Sequence, residues 1–201
     1  TEGIGLTPEQ LQGDQVASLA VPECGTKFVR GMLEDSRPQT FSDLVRISGF
    51  SHGTNVWLDN AQDLIKNGTC KLNEAISTRD DVMNFLIHRG MDRKHSFFVM
   101  ENVRKGKGIE KRNKQGQATT EFEAEMRENN IPEWFIESCK KISYLFPRAH
   151  AVAYVMMAFR IAWFKVYHPL AFYAAYFSIR AKAFDLRIMT GDLKTQMTEF
   201  N

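Results

Sequence analysis

Two stretches of this 201-residue chain carry side chains that could hold an anion or stack on a flat ring. The first is ENVRKGKG, in which Arg104, Lys105 and Lys107 crowd around Gly106 and Gly108. Arg and Lys give charge-assisted hydrogen bonds to phosphate oxygens, and a glycine turn can expose backbone N–H groups beside them. The run continues with Lys111, Arg112 and Lys114 against Glu110. A solvated loop has the same composition, and neither a Walker loop nor a Rossmann fingerprint is present, because the glycine spacing and flanking strand are missing. The second stretch is LFPRAHAVAYVMMAFRIAWFKVYHP, residues 145–169. Pro147 suits the first turn of a helix, which sets Arg148 and His150 among N–H groups without intrahelical acceptors, a place that favours an anion. Tyr154 follows His150 by one helical turn; its ring can stack on a base, while His with Arg can bind phosphate. The same helix is apolar nearly all round, so His150 also reads as a satisfied histidine on a buried core helix.

Weaker candidates lie elsewhere. SGFSHGT, residues 48–54, offers Ser51 and an exposed His52 on a glycine-flanked turn between two helices, and GTKFVR offers Lys27 and Arg30 to nucleic-acid phosphate or to solvent. Asp80 and Asp81 are adjacent and read as first-turn partners of a helix dipole, and EFEAE reads as a solvated helix face, so no carboxylate pair stands out for metal or acid–base chemistry. Twenty-six Lys and Arg against 24 Asp and Glu leave a net charge of +2, so affinity for a polyanion must come from local clustering. Cys24, Cys70 and Cys139 are odd in number, widely spaced and without CxxC pairing, which points to a reducing cytoplasm and away from zinc or a disulfide framework. The opening TEGIGLTPEQ lacks the charged start and apolar stretch of a secretory signal. The uncharged run before Arg160 is nine residues long, and Lys165 follows, which argues against a membrane span.

These residues need helices to position them. Thr40 with Asp43 opens a helix that Gly49 stops; Thr54 opens another that Gly68 closes. TRDDVMNFLIHRG carries acid at its start, His88 and Arg89 at its end and Gly90 beyond. A helix from Asp92 runs to Gly106, and TTEFEAEMRENN and IPEWFIESCKKISYLF, with Pro132 at its first position, supply two more. No alternating pattern extends beyond a few residues. The fold class is therefore all-α, a compact multi-helix domain with at most one short strand, near residues 18–21.

ENVRKGKG followed by IPEWFIESCKKISYLFPRAHAVAYVMMAFRIAWFKVYHPLAFYAAYF resembles the fingers region of the PolC-type replicative DNA polymerase III of low-GC Gram-positive bacteria, a family C polymerase. Upstream, VPECGTKFVRGML and TFSDLVRISGFSHGTNVWLDNAQDLI resemble the segments that precede it. The similarity covers residues 19–186, so 1–18 reads as a loosely ordered leader, 19–186 as the helical fingers and 187–201 as a tail toward a following domain. The resemblance implies a fragment of a replicative DNA-directed DNA polymerase that binds an incoming deoxynucleoside triphosphate and templating DNA. Arg104 matches an arginine near the triphosphate, with Lys105 beside it; His150 and Tyr154 match the nucleotide-facing positions of a KAHAxAY pattern. Arg148 stands where lysine is usual and Cys24 where an aromatic is commoner. Lys27, Arg30, Ser51, His52 and Lys107 are then candidates for DNA contact.

The resemblance also implies what the fragment lacks. The two magnesium ions belong to aspartates of a separate palm domain, so the fragment binds no cofactor of its own and is inactive alone. Its partners are the nucleotide, primer-template DNA, the palm and other domains of the same polymerase, and a sliding clamp through the intact enzyme; no membrane is implied. Two other readings remain open on the residues alone: a helical nucleic-acid-binding module using the basic loop, and a protein-interaction module using the Met- and aromatic-rich helix.

Overall fold

The computed structural model describes residues 16–112, 118–180 and 190–192. Most of the leader, Lys114 and most of the tail lie outside the described residues. In chain order the helices are α1 (Lys27–Ser36), α2 (Phe41–His52), α3 (Gln62–Lys66), α4 (Arg79–His88), α5 (Arg93–Arg104), α6 (Glu121–Glu128), α7 (Glu133–Lys141), α8 (Arg148–Tyr167) and α9 (Pro169–Ala175). Between α5 and α6, β1 (Lys111–Arg112) pairs antiparallel with β2 (Ala118–Thr119). The all-α expectation stands, but the short strands belong to this hairpin; residues 18–21, where one was expected, form a turn and a bend.

Local signals explain most boundaries. Thr40 and Asp43 cap each other at the start of α2, and Thr78 and Asp81 do so at α4. Asp92 accepts from Lys94 and His95 N–H groups to open α5. Gly68 and Gly90 close α3 and α4 at φ +70° and +97°. α1, a helix not expected from sequence, has a proper start as well, since Thr26 accepts from Val29 N–H.

Tertiary contacts override two expectations. α2 does not stop at Gly49 but runs to His52, because Gly49 is a packing residue: a Cβ there would lie 2.6 Å from Ser77 O. Thr54 caps nothing; it pairs with Tyr144 across an isolated bridge, and the chain turns irregularly through Trp57–Ala61, with Asp59 at φ +55°, before α3 begins. The main core joins Met32, Phe50, Val56, Ile76, Val82, Leu86, Val99, Met126, Phe135, Ile136 and Leu145, each buried. α6 buries Phe122 and Met126 and turns Glu123 outward to Arg127 and Lys140.

α8 departs furthest from expectation. It is not a core helix: only Ala151, Val155 and Ala158 are buried, and a satellite cluster of Val45, Ala151 and Val155 seats its first turns on α2. Met156, Met157, Phe159, Trp163, Phe164 and Tyr167 are exposed. Its 20 residues are long and apolar enough to cross a membrane by length and composition, unlike the nine-residue uncharged run considered alone. Its contacts place it on the helical domain instead, because Lys165 Nζ donates to Ala17 and Leu19 carbonyls at 3.0 and 2.6 Å.

Candidate nucleotide-binding corner

The segment linking α7 to α8 brings the two chemical stretches together. After α7 the chain runs extended: Thr54 N–H donates to Tyr144 O, and Leu145 N–H donates to the carbonyl of Arg104 at 3.2 Å. Gly106, at φ +68°, lies so close to this segment that a Cβ would fall 2.5 Å from Ser143 O. The end of α5 is thus pinned against residues 143–145, and Pro147 and α8 follow directly. A glycine at 106 serves this close approach and the left-handed turn.

On the α8 side the rings form one cluster. Phe146 stacks on His150 with centroids 4.7 Å apart and planes 22° from parallel. His150 meets Tyr154 at 4.5 Å, and the His52 ring lies 5.4 Å from each of them. Tyr144 packs edge-on to Phe146 at 4.9 Å. Such spacing is normal for favourable aromatic pairs. His52 is not an exposed turn residue; it ends α2 with its side chain 19% accessible, Nε2 2.9 Å from Glu23 Oε2 and Nδ1 3.4 Å from Ser48 Oγ. Ser51 turns its hydroxyl back to Ser48 O. Lys27 is exposed in the first turn of α1 and Arg30 half-buried one turn on, both outside the ring cluster.

Carboxylates from within the chain already hold the basic groups. Arg104 Nε and Nη2 donate to the two oxygens of Glu101, and Lys105 Nζ sits 2.9 Å from the same carboxylate. The Arg104 hydrogen bond, followed by the Lys105 one, draws the Glu101 carboxyl down to about 2. Arg148 Nη2 donates to Asp81 Oδ1 at 2.7 Å, and its backbone N–H donates to Asp80 Oδ2 at 2.7 Å. Burial pushes the Asp81 carboxyl up, but the Arg46 charge, the Ser77 and Thr78 hydrogen bonds and the Arg148 charge outweigh it and hold the carboxyl below its usual range.

The backbone donors expected to meet an anion already have partners within the chain. The N–H groups of Lys105, Gly106 and Lys107 close the end of α5 on Asn102 and Val103 carbonyls, so they do not form an open backbone cradle. At the α8 mouth, Asp80 takes the Arg148 N–H and His150 N–H turns to Pro147 O, so those donors are not free either. The ring surface and exposed Lys107 stay accessible, while the Arg104 and Lys105 side chains share the single carboxylate of Glu101. Glu23, Glu101, Tyr144 and Phe146 were not singled out from sequence. Phe146, next to the helix-starting Pro147, carried the one local signal. Among the described residues no group of three or more His, Cys, Asp or Glu side chains could hold a metal ion. Asp80 and Asp81 are committed to Arg148, Arg46, Ser77 and Thr78.

Comparison with known proteins fits this architecture. The profile of the bacterial DNA polymerase III alpha subunit finger domain matches residues 11–130. The chain is 60% identical over 182 residues to DNA polymerase III PolC-type of Thermotoga maritima, covering 90% of this chain. It is 56% identical over 189 residues to the protein of that name from Bacillus subtilis, covering 94% of this chain. The chain spans 13% of the Thermotoga relative's length and 12% of the Bacillus relative's. The profile ends before α7, whereas these aligned lengths extend well past it.

Proposed function

The chain belongs to the finger-domain family of bacterial DNA polymerase III alpha subunits, and from that premise we propose that it forms one jaw of a replicative DNA-directed DNA polymerase. It binds the incoming deoxynucleoside triphosphate and the templating DNA and closes over a palm active site. The observation that carries this reading is the half-open ring cluster of His52, Phe146, His150 and Tyr154, joined through residues 143–146 to Arg104. A base stacks on aromatic faces with little regard to identity, which suits a polymerase that accepts four nucleotides. A triphosphate carries more charge than Glu101 and would draw Arg104 and Lys105 away from that single carboxylate. The two cations would then neutralise charge developing on the reacting phosphates. Closure on a correct pair would complete the site by induced fit.

Magnesium held by palm aspartates of the intact enzyme supplies the metal chemistry; this chain's residues bind and orient. Lys27, Arg30, Ser51, His52 and Lys107 are the proposed DNA-facing set, with the sliding clamp reached through the intact enzyme and a cytoplasmic setting following from chromosomal replication. The exposed stripe of Met157, Trp163, Phe164 and Tyr167 is where the palm or another domain of the same polymerase would pack.

The test is single-nucleotide incorporation by the intact polymerase. Loss of one stacking ring costs about 1–3 kcal/mol, so Tyr154→Ala should raise the nucleotide KM roughly 5- to 150-fold. His150→Ala should act in the same direction. An unchanged KM in both would remove the nucleotide from this corner.

A further inference from the structure

The N-termini of α4 and α8 meet at a node of charge that nucleotide contact does not explain. At its centre is Asp81, whose side chain is only 9% accessible. Its Oδ2 accepts from Ser77 N–H and hydroxyl at 3.1 and 2.7 Å and from Thr78 N–H and hydroxyl at 2.8 and 3.0 Å. Its Oδ1 accepts from Arg148 at 2.7 Å and faces Arg46 Nη2 at 3.6 Å. Arg46 is anchored a second time, by Nη1 donating to Ala75 O at 2.9 Å. Two bonds from backbone N–H groups cross the same junction in opposite directions: Arg148 N–H to Asp80 Oδ2, and Arg79 N–H to Phe146 O at 3.0 Å.

A capping box requires only the exchange between Thr78 and Asp81. The further donors exceed what α4 needs for its start. Arg46, 13% accessible, balances the buried carboxylate; Arg148, 44% accessible, reaches it from the open side beside the rings. We propose that Asp81 is a positioning residue for nucleotide binding, holding Arg148 and the first turn of α8 so that Phe146, His150 and Tyr154 present one fixed arrangement. This rests on the nucleotide reading of the corner. Supporting groups of this kind fix the orientation of the residues that touch the ligand.

The experiment is nucleotide incorporation by the intact polymerase carrying Asp81→Asn, Arg148→Ala, both together, or Asp81→Glu. Asp81→Asn keeps the side-chain size and an acceptor for Ser77 and Thr78 but removes the negative charge that faces Arg148 and Arg46. The expected result is a nucleotide KM raised about tenfold with kcat within about threefold, partial recovery in Asp81→Glu, and less than about a twofold further effect in the Arg148→Ala background. An unchanged or lowered KM overturns the proposal, as does an effect that adds in full to Arg148→Ala. Should Asp81→Asn not yield folded enzyme, Ser77→Ala removes one donor from the same carboxylate; a KM raised about threefold supports the proposal and an unchanged KM overturns it. A normal KM in Tyr154→Ala and His150→Ala overturns the nucleotide reading and this inference with it. A raised KM there with a normal Asp81→Asn overturns the positioning role alone.

Discussion

Replacing Gly106 by alanine probes the contact that brings the end of α5 to the mouth of α8. Two costs are separable. A non-glycine residue at φ +68° loses about 1–2 kcal/mol relative to a right-handed conformation. The new Cβ would lie 2.5 Å from Ser143 O, with Ser143 Cα and C at 3.1 and 3.2 Å, so backbone must shift by about 0.5 Å to restore even a 3.0 Å contact. Overpacking of this kind costs about 1–3 kcal/mol, giving a total of about 2–5 kcal/mol. Gly108 provides the control, because it has φ +66° but nothing within 4 Å of its Cβ position. Gly108→Ala should lose only the first amount. Urea unfolding of both variants measures the difference directly, as a shift in midpoint at constant slope. In the intact polymerase, Gly106→Ala should also raise the nucleotide KM while Gly108→Ala leaves it near wild type. Equal destabilisation by the two substitutions would refute the claim that close approach to Ser143 is what Gly106 provides.

Two further outcomes follow from charge and burial. The Asp81 carboxyl is held below its unfolded value of about 3.9, so its stabilising contribution is fully present above that pH and is lost as pH falls through the folded value. The stability difference between wild type and Asp81→Asn, followed by urea unfolding, should be flat from about pH 5 to 7 and shrink below about pH 4; a difference that grows on acidification contradicts the node's charge assignment. Burial, with help from Glu23 and Glu74, pushes the Cys24 and Cys70 thiols up to about 11, and full burial pushes Cys139 up further. All three should alkylate slowly in native protein at pH 8 and rapidly in urea; fast native labelling of Cys24 would contradict its environment.

The legible parts of the fold were those encoded within a few residues. Thr40 with Asp43, Thr78 with Asp81, Asp92, Gly68 and Gly90 each set a helix boundary through bonds to near neighbours. Gly49 shows where such reading stops. A glycine after a helical run signals termination, yet here it remains helical because Ser77 needs the space of its missing side chain, a contact 28 residues away in sequence. Thr54 was misread for the same reason: its partner is Tyr144. Composition correctly marked α8 as apolar, but apolar residues wait equally for a core or for another domain, and only the packing of Ala151, Val155 and Ala158 on one face separates these.

The site was legible in its residue types more than in its geometry. Arg104, His150 and Tyr154 stand out by residue type and again through the resemblance, while their union through residues 143–146 depends on the Leu145 to Arg104 and Gly106 to Ser143 contacts. The helix mouth at Arg148 has the donors an anion site needs, but Asp80 and Asp81 of the same chain occupy them. That pairing also shows what a guanidinium does at position 148: it extends from α8 to a carboxylate on α4.

In the proposed function Arg104 and the ring cluster form one nucleotide site. Pre-steady-state incorporation by the intact polymerase carrying Arg104→Ala tests it most directly, with affinity for primer-template DNA measured in parallel. Nucleotide affinity should fall at least about tenfold, as loss of a charge-assisted contact requires, with DNA affinity changed by less than about twofold. Unchanged nucleotide affinity, or a loss confined to DNA binding, would contradict it.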